Sequence, residues 1–298
     1  MIKKIKIQPG YEDQRLDKFL KRFFSNLNQS FIEKNIRKKN ILINNKITKS
    51  NYNLKETDII IIKNYTKASY SNFKPKKNRI STSKSILYNF EKSKLYEDNN
   101  FIVLDKWSGI STQGGTKIVE SIDSIIKNIS INFNLVHRLD KETSGLLIIS
   151  KNLKFTKIFG NLFKSQAIKK IYIAICAGKP KIKESYVDLL IPYKKKEIGV
   201  VSKTYYKVLH YNNKFSLIQF EPHTGKKHQI RIVAKKLGCP IIGDKKYNLN
   251  NSNKNEKLKL NARNLYFKIN DKKFNFSSKL PKDFINFLKL KNLKYLDL

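Results

Sequence analysis

The stretch His137-Arg138-Leu139-Asp140-Lys141-Glu142-Thr143-Ser144-Gly145 packs charges, hydroxyls and a glycine just ahead of an apolar run at 146–149. Two readings stand side by side. In a polar turn between strands, Asp140 and Thr143 would bond the backbone locally. In a reactive site, Asp140 would face outward beside a core strand. Chemistry alone leaves both open, and the surrounding sequence has to be consulted.

Downstream, Phe155, Ile158, Phe159, Leu162 and Phe163 recur at helical spacing, so a helix follows the strand at 146–149. Ile171, Ile173 and Ile175 alternate with Tyr172, Ala174 and Cys176. This predicts a strand with one apolar face and with Tyr172 on the other, where it can look into a cleft. Further strands are expected at Val200–Tyr211 and at 215–220, then a helix over 227–237 ended by Gly238. Upstream, Leu95-Tyr96-Glu97-Asp98 leads into a strand at 101–104. Turns follow at Lys106-Trp107-Ser108-Gly109, with a basic residue at its mouth, and at Gln113-Gly114-Gly115. Residues 95–298 are thus expected to form an α+β domain with a mixed or antiparallel sheet and flanking helices.

The first 63 residues read as a separate small domain. Leu16, Phe19, Leu20, Phe23 and Phe24 mark one face of a helix. Ser30 followed by Glu33 reads as a capping box opening a second helix through Ile32 and Ile36, with Lys34, Arg37, Lys38 and Lys39 available to phosphates. The runs Ile41–Ile43 and Ile59–Ile62, with the turn pair Asn44-Asn45 between them, suggest a small sheet. Residues 64–94 are rich in Lys, Ser, Asn and Tyr without a sustained period and read as a basic linker. A polar stretch at 248–257 reads as a surface loop without a function of its own.

With 62 Lys and Arg against 23 Asp and Glu, the formal charge of this 298-residue chain is +39, a field that draws polyanions, nucleic acid first. Drift toward Lys, Asn and Ile accounts for part of that excess, but not for the scarcity of carboxylates. Cys176 and Cys239 lack metal-ligand or redox-motif spacing, which points away from a disulfide framework and a zinc site and toward a reducing cytoplasm. The first thirty residues lack a signal-like apolar core, and no apolar stretch approaches the ~18 residues that a membrane span needs.

The stretch at 137–145 resembles the signature of the RluA-type pseudouridine synthases, and other motifs follow in family order. Lys106-Trp107-Ser108-Gly109 stands where the family usually has Lys-Pro-x-Gly. Lys170-Ile171-Tyr172 matches its tyrosine motif, and Thr224-Gly225-Lys226-Lys227-His228-Gln229-Ile230-Arg231 its arginine motif. Pro240-Ile241-Ile242-Gly243-Asp244 and Tyr247 come next. Residues from Arg15-Leu16-Asp17 to the strand after Asp58 resemble the αL RNA-binding module, with Asn40 and Asn45 where that module usually has glycine; Asn best tolerates the left-handed conformation that such turns need, so both are expected to adopt it.

The resemblance implies an isomerase of the pseudouridine synthase fold that detaches a uracil from its ribose, turns it and rejoins it through carbon, with no metal or organic cofactor. Asp140 would be the catalytic aspartate, and a carboxylate is almost wholly ionised at neutral pH and so available as nucleophile or base. Arg231 would pair with it, Tyr172 would stack on the target base and help remove a proton, and Arg138 would fill the gap left by the extruded base. Lys106, Arg37, Lys38 and Lys39 are the other expected RNA contacts. His137 and His228 are expected to shape loops by hydrogen bonding. The chain looks most like the RluC branch, with the RluD branch as its neighbour, which implies a monomer acting on large-subunit ribosomal RNA in the cytoplasm. Three departures from the family pattern are Trp107 for proline, Lys226 for arginine, and Asn261 where Leu-His-Ala is frequent.

Overall fold

The computed structural model describes all residues except 9–10, 25–26, 72–82, 115–119, 131, 192–198, 249–254 and 296–298, and divides into two compact units, 1–81 and 82–298. In the first, β1 (Lys3–Lys6), α1 (Leu16–Phe23), α2 (Gln29–Arg37), β2 (Ile41–Ile43), β3 (Ile59–Ile62) and α3 (Lys67–Ser71) follow in order. The strands form an antiparallel sheet in the order β1-β3-β2. Leu16, Phe19 and Leu20 of α1 and Ile32 and Ile36 of α2 pack with Ile60 and Ile62 in one core. That packing is why the apolar spacing was readable.

Three details differ from the sequence reading. The cap of α2 is Asn28, whose side chain accepts from the Phe31 amide, while Ser30 lies inside the helix. At the end of α2 the left-handed residue is Lys39 (φ 57°) and not Asn40. Lys39 and Asn40 donate backwards to the carbonyls of Ile36 and Asn35, so the helix is closed by a reversed turn. Asn45 is left-handed as expected, together with Asn44, whose side chain joins the Ile59 amide and Asp58. The stretch read as a linker is helical at both ends, in α3 and in α4 (Lys84–Lys92), while 72–82 lies outside the described residues. A helix with Phe90 as its only fully covered apolar side chain gives too weak a period to be seen.

The second unit continues with β4 (Lys94–Glu97), β5 (Phe101–Lys106), α5 (Ile122–Ile129), β6 (Asn134–Leu135), β7 (Ser144–Ser150), α6 (Leu153–Lys164), β8 (Lys169–Ala177), β9 (Glu184–Ile191), β10 (Val200–Tyr211), β11 (Phe215–Pro222), α7 (Gln229–Lys236), β12 (Leu260–Ile269), β13 (Lys272–Ser277) and α8 (Lys282–Leu290). Its mixed sheet runs β4-β5-β7-β12-β8-β11-β10-β9, with β6 on β7 and β13 on β12. All pairings are antiparallel except β7 with β12. The expected α+β class is what the structure has.

Alternation along the strands sorts the helices onto two faces. Ile102, Leu104, Leu147 and Ile149 pack under α4 and α5, while Phe101, Val103, Leu146 and Ile148 pack against α6. In the other half, Ala174, Cys176 and Ile218 meet α7, and Ile173, Ile175 and Leu217 meet α8. Both faces of β8 are therefore covered, where the sequence suggested one apolar face. Tyr172 touches the clusters of both halves and so stands at their seam. Cys176 and Cys239 are free thiols, buried side by side under α7.

The halves are joined by a short parallel contact, Asn261↔Ser144 and Ala262↔Gly145. Gly145 has φ +107°, and a Cβ there would lie 2.4 Å from the Ala262 carbonyl oxygen. Asn261, fully buried, donates to Ser144 Oγ at 2.9 Å and accepts from Ser278. This departure from the family pattern is a structural pin that holds β7 where the loop of Asp140 ends. Gly145→Ala adds left-handed strain to a backbone clash, and we expect it to lower unfolding free energy by about 2–5 kcal/mol in urea titrations; an unchanged midpoint would refute the close-contact role.

Candidate active site

The loop between β6 and β7 carries Asp140, and its backbone is fastened from several sides. Leu139 is buried, and the Thr112 hydroxyl both donates to its carbonyl (2.7 Å) and accepts from its amide (3.2 Å). Gly109 N–H donates to the Lys141 carbonyl at 3.0 Å, Ser108 Oγ to Glu142 O at 2.7 Å, and Thr143 N–H to Asp140 O at 3.1 Å. His137 Nε2 accepts from the Ile148 amide at 2.8 Å, with its ring against Phe163, and burial pulls its pKa down to about 3, so the imidazole is neutral. His137 thus shapes the loop, as expected.

With the backbone fixed, the Asp140 carboxylate is free to point outward. Among the described residues its side chain has no backbone partner, so the turn is closed by backbone, Thr143 N–H on the Asp140 carbonyl, and not by the carboxylate. Oδ2 accepts from Arg231 Nη1 at 3.3 Å, and Oδ1 lies 3.7 Å from His228 Nε2. Asp140 retains 19% exposure, at a cavity of about 450 Å³ that Tyr172, His228, Arg138 and Arg231 also line. The structure therefore brings Asp140, Tyr172, Arg231 and Arg138 together. Arg138 is exposed at the rim, donating to Gln113 Oε1 at 3.2 Å.

Arg231 projects from the first turn of α7 and is gripped by a second carboxylate that the sequence reading did not assign. Its Nε and Nη2 donate to Asp244 at 2.8 and 2.7 Å. Asp244, with no side-chain exposure, also accepts from the Lys246 and Tyr247 amides. Burial works to raise its pKa, but the bonds from Arg231 and those amides outweigh it and hold it below the usual carboxylate range. The Tyr247 ring lies under the guanidinium at 5.1 Å, and its hydroxyl meets His228 Nδ1 at 2.9 Å. His228, left-handed at φ 56°, thus makes a shaping bond and also neighbours Asp140.

Tyr172 is enclosed, and burial, with the nearby Asp140 charge, pushes its phenol well above the ordinary tyrosine range. It stays protonated in the free protein. Among the described residues the cavity lining contains Arg138, Lys164, Lys170, Lys226, Lys227 and Arg231 but only one carboxylate, Asp140. In the first unit, Arg37, Lys38 and Lys39 are exposed and free to meet phosphates.

Lys106 corrects the sequence reading. Expected at an RNA surface, it is wholly buried, and its ammonium donates to the carbonyls of Trp107 (3.1 Å), Ile110 (3.1 Å) and Lys141 (3.2 Å). Burial pulls its pKa down to about 7 against the raising effect of Glu142 and Asp140. The residue ties the turn after β5 to the loop of Asp140, and it cannot reach a phosphate. Lys106→Met should cost about 2–3 kcal/mol of stability by orphaning buried carbonyls, and leave the salt dependence of RNA binding as in the wild type. A lost phosphate contact, seen as a shallower salt slope, would restore the surface reading.

The chain is similar over most of its length to known RNA-modifying proteins. Residues 100–236 match the RNA pseudouridylate synthase family model. A ribosomal large subunit pseudouridine synthase C from Rickettsia bellii (strain RML369-C) is 37% identical, over 91% of this chain and 95% of its own length. One of the same name from Buchnera aphidicola subsp. Baizongia pistaciae (strain Bp) is 35% identical over 97% of this chain and 96% of its own. A solved structure of human RNA pseudouridylate synthase domain containing 4 superposes with a TM-score of 0.63 at 23% identity, covering 71% of this chain and 97% of its own, and shows the shared fold. The chain belongs to the RluA-type family of RNA pseudouridine synthases, isomerases acting on RNA, and is RluC-like.

Proposed function

We propose that the protein converts uridines of large-subunit (23S) ribosomal RNA to pseudouridine, with Asp140 as the catalytic residue. The observation that carries this reading is a carboxylate freed by a fastened loop and aimed by Arg231, at a cavity whose other charged residues, among those described, are Lys and Arg. Relatives named for the large ribosomal subunit supply the substrate class. Net charge favours the same partner.

In the reaction the C1′–N1 bond of uridine breaks, the uracil turns, and a C1′–C5 bond forms. C5 gives up its proton and N1 gains one, so the product is an isomer and no cofactor enters the balance. The Asp140 carboxylate meets the reacting nucleotide as the anion of the cavity, and Arg231 fixes its aim. Tyr172, protonated in the free enzyme, supports the base by stacking. Should Asp140 become bonded to substrate, its charge is lost and one of the two causes of the raised Tyr172 pKa goes with it; the phenol then gives up its own proton to solvent more readily, and the resulting phenolate takes the proton from C5.

Arg138, exposed at the rim, would enter the helix as the target base leaves. Arg37, Lys38 and Lys39 would track phosphates as part of an αL-type module, with the protein acting as a monomer in the cytoplasm. No helix among the described residues is long and apolar enough to cross a membrane.

The test is to incubate unmodified large-subunit RNA with wild-type protein and with Asp140→Ala, then map pseudouridine by chemical stops. New stops with the wild type and none with the variant, at equal RNA affinity, are expected. Binding without any new pseudouridine from the wild type would make this an RNA-binding assembly factor, and an abasic product would make it a glycosylase.

A further inference from the structure

Lys170 is a charge that the mechanism above does not use. It lies on β8 two residues before Tyr172, on the same face of the strand and about 7 Å along it. It lines the cavity and is half-buried, and among the described residues its ammonium has neither ion pair nor hydrogen bond. Its neighbours in the lining do not compensate it. His137 is neutral, Arg138 and Lys164 carry like charge, and Asp140 is engaged by Arg231. Burial accordingly pulls the Lys170 pKa down, with no opposing anion.

A cation withdrawn from water without a partner destabilises the free protein. Its counter-charge has to come from outside, and the anion that an RNA brings to this cavity is a phosphate. The position suits one. With the base resting on Tyr172, the phosphate joined to the same nucleotide sits about one nucleotide's reach away, toward the start of β8 and the Lys164 end of α6.

We infer that Lys170 is the seat of a backbone phosphate flanking the extruded uridine, paired only when RNA is bound. This rests on the reading of the cavity as a uridine site, and deepens it. The ammonium positions the nucleotide against Asp140 and takes no part in bond making.

The experiment compares Lys170→Met and Lys170→Arg with the parent protein. RNA binding is measured in an Asp140→Ala background over a salt series, turnover in the active background, and stability by thermal unfolding. For Lys170→Met we expect a raised melting temperature, RNA affinity lowered about tenfold or more, and a log–log salt slope shallower by about one. The effect on turnover should fall on KM more than on kcat, and Lys170→Arg should recover most of it. A lowered melting temperature for Lys170→Met would make the lysine structural and overturn the inference. Weakened binding with an unchanged slope would place a base and not a phosphate there, and would also overturn it. Because slope and stability are read without catalysis, they decide the phosphate seat even if the wild type forms no pseudouridine, an outcome that would remove only the enzymatic reading.

Discussion

The guanidinium of Arg231 is shared between two carboxylates, and the site depends on how unequally. Two of its donors close on buried Asp244 at 2.7 and 2.8 Å, while a third reaches Asp140 at 3.3 Å. The fork is thus anchored on Asp244, itself held by the Lys246 and Tyr247 amides, and only leans on Asp140. One positive charge between two negative ones leaves Asp140 aimed but not neutralised. A residue that must bond to substrate is better served by such a partner than by a tight bidentate pair, which would compete with the reaction.

The scaffold exists to bring three separate segments to that point. Asp140 comes from the loop before β7, Arg231 from α7, and Asp244 from the turn leading toward β12. The two-residue parallel contact of β7 with β12 couples the first of these to the rest of the sheet, and it requires a glycine at 145 because the chains nearly touch. Lys106 and Thr112 hold the Asp140 loop from the other side. Together these contacts leave the Asp140 side chain at the cavity.

Sequence revealed the parts of this arrangement that repeat at short range. The periods around Phe159, Ile173 and Leu16 located helices and strands because each packs one or two apolar faces. Family motifs brought Asp140, Tyr172 and Arg231 together, and the geometry agrees with that grouping. Lys106 was misjudged because a lysine ordinarily stays at the surface; its three carbonyl partners are visible only once Ile110 and Lys141 are folded against it. Asp244 stood in a quoted motif without a role, since thirteen residues of spacing to Arg231 give no helical or strand relation. β13, with only Phe274 and Phe276 alternating, is too short for its period to register.

Asp140 owes its aim to an arginine anchored elsewhere. Asp244→Asn keeps the shape of the anchor and removes its charge, without touching Asp140, Tyr172 or the rim. The direct measurement is the single-turnover rate of pseudouridine formation by this variant at saturating RNA. A fall of about a hundredfold with unchanged RNA affinity is expected for a misplaced reacting group. A wild-type rate would show that Asp140 holds its position without the clamp, and would contradict this account of the site.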